Sequence, residues 1–338
     1  MSGRVETSGT AVPHPRLRPH RLRDRFIAYG SVGSIALFFI AVFVLFSVST
    51  EDFATLGNIL NVVRQSAPLL MVAATMTLVI TTGGIDLSVG SVLALVSALC
   101  AILIRDGIPW PVVVLLMLGC GALIGAIQGF FVAYEGIPSF IVTLAGLSIV
   151  RGLALLMTGG YSIPIPASLA FVDLGRGWLA GMPVPALVAA AVMLVAIVIF
   201  NQTPFGRYVT GVGANAEAVR RAGVNTRLVT LCVYVLSGTM AALAGLVLAA
   251  RLGSGSSNSG QGFELDVIAA VVLGGTSLFG GRGTMIGTVL GALTVAVIGN
   301  GLILAHLSPF LTPIVTGSII LIAIWMNFRI FRGAVRKR

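Results

Sequence analysis

Ten apolar stretches govern what this chain can become. They cover residues 31–48, 66–82, 86–104, 111–134, 138–158, 184–200, 228–250, 265–280, 284–304 and 309–327. A helix needs about 20 apolar residues to cross a hydrocarbon layer, and most of these runs approach that length. In lipid a backbone must satisfy its own hydrogen bonds, so each run is expected to be helical. The fold class that follows is an all-α integral membrane protein with about ten transmembrane helices. Composition agrees: 57% of the residues are hydrophobic and only 9% are charged, against about 25% charged in soluble domains.

The basic residues orient the chain, because cytoplasmic segments carry the excess of Arg and Lys. With the N-terminus in the cytoplasm, 16 of the 21 basic residues fall on that side. Arg64, Arg105, Arg176 and Arg251 fall outside, and Arg151 lies within a span. Both termini are therefore expected to be cytoplasmic. Residues 1–30 read as a disordered basic tail, 31–328 as the transmembrane domain and 329–338 as a basic C-terminal tail. The basic lead is too long for a secretory signal, and no small-residue cleavage site follows Phe46. Tyr29, Trp110, Tyr134 and Trp325 lie near span boundaries, as interfacial anchors do.

A net charge of +10 does not imply nucleic acid here, because the basic residues follow membrane topology. Lys337 is the only lysine and Arg338 follows it, so the chain has no Walker A motif. Cys100, Cys120 and Cys232 lie in apolar runs and read as small core residues. His306 stands alone. No nucleophile, base and oxyanion set stands out, which argues against an intramembrane enzyme, and no cofactor is expected. Gly121, Gly125 and Gly129 form a face with four-residue spacing in the fourth span, and Gly283, Gly287 and Gly291 do so in the ninth. Such faces let helices approach closely. Their matching places predict an inverted 5+5 repeat, a common transporter plan.

Polar residues interrupt this pattern in a few places. The segment 201–227 is charged and lies between apolar runs. Within it, Ala214–Arg221 reads as a short helix capped by Asn215. Glu217 lies in its first turn, Arg220 and Arg221 in its last, and Gly223 ends it. Asp86, beside Ser88 in a Gly83-Gly84 turn, either caps the next helix or stands at the mouth of a pathway. Arg151 either snorkels outward or faces that pathway. Glu264 and Asp266 read as solvated carboxylates at the outer start of a span. Residues 159–183 form a long outer loop with some fixed shape, while the Gly- and Ser-rich 251–263 reads as flexible.

Several long motifs in order carry a resemblance. They are ITTGGIDLSVGSVLAL at 80–95, SFIVTLAGLSIVRGLALL at 139–156, GANAEAVRRAGVN at 213–225, VYVLSGTMAALAGLVLAARLGS at 233–254 and ELDVIAAVVLGGTSLFGGRGT at 264–284. Together they resemble the permease subunits of bacterial ABC importers of the ribose-type monosaccharide branch. The resemblance implies a multi-pass protein of the bacterial inner membrane. Its implied partners are ABC ATP-binding subunits, an extracytoplasmic solute-binding protein and a second permease copy or paralogue.

Glu217-Ala218-Val219-Arg220-Arg221-Ala222-Gly223 is similar to the coupling motif of importer permeases, with valine in place of its second alanine. On that resemblance Gly213, Asn215, Glu217, Ala218, Arg220, Arg221 and Gly223 are expected to contact the ATPase subunit. Asp86, Ser88 and Arg151 are candidates for the solute pathway. Tyr161, Trp178, Ser256 and Asn258 are candidates for docking the binding protein. A stand-alone secondary carrier is the alternative, though such carriers usually show more buried acids.

Overall fold

The computed structural model describes residues 21–307 and, beyond them, Ile314, Gly317, Ser318, Leu321, Ile322 and Trp325. Residues 1–20 of the expected tail, most of the tenth apolar stretch and the segment 329–338 lie outside the described residues. Eleven helices follow in order: α1 Arg21–Ser49, α2 Leu56–Thr81, α3 Val89–Arg105, α4 Trp110–Ala133, α5 Ser139–Thr158, α6 Asp173–Arg176, α7 Val184–Gln202, α8 Pro204–Arg221, α9 Thr226–Leu252, α10 Phe263–Leu273 and α11 Met285–Leu304. Two short antiparallel pairs join β1 Ile163–Pro164 to β4 Ser254–Gly255, and β2 Trp178–Leu179 to β3 Met182–Pro183. Seven of the described helices contain a stretch long and apolar enough to cross a membrane.

Helix α9 is the axis of the bundle and packs against α2, α3 and α4. The α4–α9 contact is built on small residues. A Cβ on Gly121 would strike the Gly238 carbonyl, one on Gly125 the Tyr234 carbonyl, and one on Gly129 the Tyr234 and Leu231 side chains. The second glycine face works the same way: Gly287 sits on Gly274, and Gly291 on the Ala270 carbonyl of α10. A smaller apolar cluster, containing Phe46, Phe53 and Ile298, joins α1 to α11. The opposite faces of α4, α5 and α7 expose Leu115, Leu123, Leu144, Leu156 and Leu194.

Several sequence expectations change. Helix α1 begins at Arg21, so residues 21–30 are helical rather than part of a disordered tail; arginine and leucine are good helix formers, and the apolar stretch of this helix starts at Val32. Helix α2 begins at Leu56, ten residues before the expected span, capped by Thr55, whose side chain accepts from the Asn58 amide. Asn58, Asn61, Arg64 and Gln65 had hidden that start by lowering its hydropathy.

The third and eighth stretches are broken. Residues 83–88 are not helical, and α3 starts only at Val89. The eighth stretch holds an 11-residue helix, α10, which ends at Gly274, with Gly275 at φ 87°. At 1.5 Å per residue α10 spans about 16 Å, roughly half a hydrocarbon layer. The segment 253–262, which precedes α10, is not helical. It is not flexible: Gly255 lies against the Ser97 carbonyl, Gly260 against the Gly90 carbonyl, and its start pairs with β1. Its glycines serve close backbone approach to α3.

Candidate functional site

Three polar constructions occur along the bundle, and the broken segments connect them. The first is α8. This helix begins earlier than the sequence suggests, at Pro204, and breaks at Asn215, where φ is −164° and ψ 92°. Its second piece is capped as expected: Asn215 Oδ1 accepts from the Ala218 amide at 3.0 Å. Glu217 accepts from Arg220 Nε at 2.9 Å and from Arg221 Nε at 3.0 Å. The Arg221 and Arg220 guanidiniums hold its carboxyl below the usual carboxylate range. Gly223 takes φ 85° and turns the chain into α9. Asn215, Glu217, Ala218, Arg220, Arg221 and Gly223 are all exposed. Gly213, by contrast, is a seat: a Cβ there would strike the Thr81 carbonyl that ends α2 and the Gly281 amide. Gly281 N donates to that same Thr81 carbonyl at 2.9 Å. A cavity of about 260 Å³ opens beside this junction, lined by Gly83, Gly84, Ser139, Ala216, Arg227 and Tyr234 among others.

The second construction pins the non-helical segment before α3. Asp86 is 1% exposed. Its Oδ1 accepts from the Ser88 amide at 2.9 Å and from Ser88 Oγ at 2.7 Å, and its Oδ2 accepts from Ser237 Oγ of α9 at 2.7 Å. This is a turn closed onto residue i+2, so Asp86 serves the chain just before α3 rather than the first turn of that helix. Ser88 Oγ also lies 3.0 Å from the Gln128 side-chain amide. The Gln128 atom there is Oε1, so Ser88 Oγ, with one proton to donate, stands between that oxygen and the nearer Asp86 Oδ1. Ile85 is tied to α5: its amide donates to Ser139 Oγ at 3.0 Å, and its carbonyl accepts from Thr143 Oγ1 at 3.2 Å. Side chains thus replace the missing helical ladder, as buried non-helical backbone requires.

The third construction holds the other broken segment. Arg151 of α5 donates through Nη1 to the Ser257 and Ser259 carbonyls, each at 2.7 Å, and through Nη2 to the Gly260 carbonyl at 3.3 Å. Thr158 Oγ1 donates to Ser257 Oγ at 2.9 Å. The Glu264 carboxylate lies against Gly90, so the starts of α3 and α10 meet within the bundle. Tyr161 and Trp178 are 78% and 53% exposed at the far end from α8, Asn258 is exposed and Ser256 is half-buried.

Ser237, Gln128 and Tyr234 belong to this network, yet sequence reasoning did not single them out. The available signal was a hydroxyl or amide inside an apolar run, which in lipid calls for a partner.

This arrangement, apolar helices around two interrupted apolar stretches with a charged helix at one end, defines a multi-pass membrane permease rather than an enzyme. The sequence profile of the family described as "Branched-chain amino acid transport system / permease component" matches residues 58–324, and the chain belongs to that family. It is 39% identical to the probable ABC transporter permease protein YphD of Escherichia coli K12, over 95% of this chain and 96% of that one. It is 42% identical to the ribose import permease protein RbsC of Bacillus subtilis, over 87% and 91% respectively. It is 34% identical to the xylose transport system permease protein XylH of Escherichia coli K12, over 85% and 89%. No solved structure matches the chain. The protein is a multi-pass component of the bacterial inner membrane.

Proposed function

We propose that this chain forms the membrane pathway of an ABC importer for a monosaccharide or similar small polar solute. The observation that carries this reading is α8, a charged helix whose exposed residues bond only to one another, yet whose Gly213 rests where α2 ends and the 280–281 turn returns. A force on its exposed face reaches both broken crossings through backbone contacts. The ATP-binding subunit bears on Gly213, Asn215, Glu217, Ala218, Arg220, Arg221 and Gly223. Relatives named for ribose and xylose import support a sugar over an amino acid.

The chain crosses ten times, with both termini and α8 in the cytoplasm. The third and eighth crossings support the inverted 5+5 plan: the first is non-helical before its helix and on the α8 side, the second before its helix and on the opposite side. Asp86 and Ser88 position the pathway and do not line it in this state, and Arg151 latches its outer half. The exposed apolar faces of α4 and α5 meet lipid and a second permease copy or paralogue. A solute-binding protein docks around Tyr161, Trp178, Ser256 and Asn258.

Two measurements test this. Single cysteines at Ser162 and Ala216, in a background lacking Cys100, Cys120 and Cys232, are expected to label from opposite faces of intact cells; labelling from one face overturns the topology. Gly223→Val penalises a left-handed residue by roughly 1–2 kcal/mol where side-chain space itself is free. The variant is expected to reach the membrane but to lose uptake and the stimulation of ATPase activity by loaded binding protein. Intact stimulation and uptake would reduce this segment to a connector.

A further inference from the structure

The cavity of about 260 Å³ beside α8 is walled by four elements. They are α8 itself, through Val212 and Ala216, the turn 82–84 after α2, the junction of α4 with α5, and the first turns of α9. Two of these walls also meet at Gly213, which rests on the Thr81 carbonyl just before that turn. Anything seated in the cavity therefore touches α8 and the parts that α8 bears on.

The lining is polar in a particular way. It holds one cation, Arg227, several hydroxyls and no carboxylate. A void left by packing alone is apolar. Arg227 lies over the Tyr134 ring, with Cζ 5.8 Å from the centroid. Among the described residues no carboxylate pairs with it; the ion pairs are Arg105–Asp106 and those of Glu217 with Arg220 and Arg221. A guanidinium fork takes a phosphate in two parallel bonds. Thr82 Oγ1 donates to the Val79 carbonyl at 2.7 Å, and Thr230 Oγ1 to the Thr226 carbonyl at 3.1 Å. Their protons are committed within the chain, so both oxygens are left as acceptors for a ligand's hydroxyl groups. One anionic group and several hydroxyls are thus the complement of this lining. The volume is just below the about 300–1,000 Å³ of drug-sized sites, which keeps the occupant small.

We propose that this cavity binds a small hydroxyl-bearing phosphate, of the size of a sugar phosphate, and that the bound ligand holds α8 against the turn 82–84 and the α4–α5 junction. This rests on the importer reading, in which α8 moves with the ATP-binding subunit from the cytoplasmic side. A ligand that fits one arrangement of the walls stabilises that arrangement over the next, so occupancy slows the cycle. Phosphorylation of an imported sugar is the class of reaction that supplies such a ligand, and uptake then falls as the product accumulates.

The test uses the assembled transporter in phosphatidylcholine nanodiscs, with the loaded binding protein encoded with it. Two quantities are read: equilibrium binding of radiolabelled ribose phosphate, esterified at the primary hydroxyl, and ADP formation stimulated by the binding protein. Free ribose and inorganic phosphate, at the same millimolar concentration, are the comparison compounds. The ester is expected to bind and to lower the stimulated activity several-fold, and the other two to do neither. Arg227→Gln is expected to weaken binding at least about tenfold, because it removes the charge-assisted bonds. Thr230→Val keeps the shape of its side chain and should weaken binding less. Each variant is compared with its own activity without ester. Arg227 is exposed, so its variant keeps the test open even if Thr230→Val unfolds. Stimulation by the binding protein without any binding of the ester would overturn the proposal and leave the importer reading intact, as would equal binding by Arg227→Gln and wild type. Equal effects of inorganic phosphate alone would reduce the site to a plain anion contact and overturn it too. An effect that depends on Arg227 but needs phosphatidylglycerol in the discs instead of the ester would uphold the site and give its phosphate to a lipid headgroup. Absence of stimulation in the wild type would remove the importer reading and the regulatory role with it.

Discussion

Gly125→Leu is expected to leave almost no monodisperse protein after extraction in mild detergent. Gly125 sits where α4 crosses α9, and a Cβ there would meet the Tyr234 carbonyl and the Val235 backbone. Backbone cannot move aside as a flexible side chain can. The contact is reciprocal, since Gly238 of α9 is equally closed by Gly121. Relief therefore requires the two helices to part along the whole interface. Overpacking at one core site costs about 1–3 kcal/mol when neighbours can shift, and more is expected against fixed backbone. Total stabilities are only about 5–15 kcal/mol. Gly119→Leu is the control on the same helix, because a Cβ there meets nothing within 4 Å; it should purify like wild type. The check is the elution profile of a fluorescent fusion. Equal profiles for the two variants would mean that α4 and α9 do not meet through this face. Gly287→Leu, facing Gly274 in the α10–α11 contact, is expected to behave like Gly125→Leu.

Local chemistry was legible in the sequence, and long-range routing was not. Asn215 could be read as a cap because capping is settled within four residues, and the glycine faces could be read because their spacing repeats. The shortness of the helix in the eighth apolar stretch could not. Leu278 and Phe279 keep the hydropathy of 274–280 high, although Gly274 and Gly275 have already ended the helix. The segment 253–262 misled for the opposite reason. Glycine and serine read as slack when the neighbour is unknown, yet here they fit backbone against α3 and offer carbonyls to Arg151. Arg151 itself was visible as an anomaly within a span. Its partners lie more than a hundred residues away in sequence, and no local pattern reaches them.

Asp86→Ala is expected to abolish uptake, and Asp86→Asn to retain most of it. The carboxylate serves three buried donors: the Ser88 amide, Ser88 Oγ and Ser237 Oγ. Each buried donor left without an acceptor costs about 1–3 kcal/mol. Residues 83–88 have no helical ladder to fall back on, so alanine should release the segment from α9 and displace the start of α3. Asparagine keeps one oxygen for both Ser88 donors. Its N–H group then donates to Ser237 Oγ, which changes from donor to acceptor. Ser237→Ala removes one bond only and should fall between the two. Uptake of labelled solute, together with the thermal unfolding midpoint of the purified complex, separates the cases. If Asp86→Asn is as inactive as Asp86→Ala while its unfolding midpoint matches wild type, the charge itself is required. Asp86 would then act on the solute in a state where α9 has moved away, and not as a tie between segments.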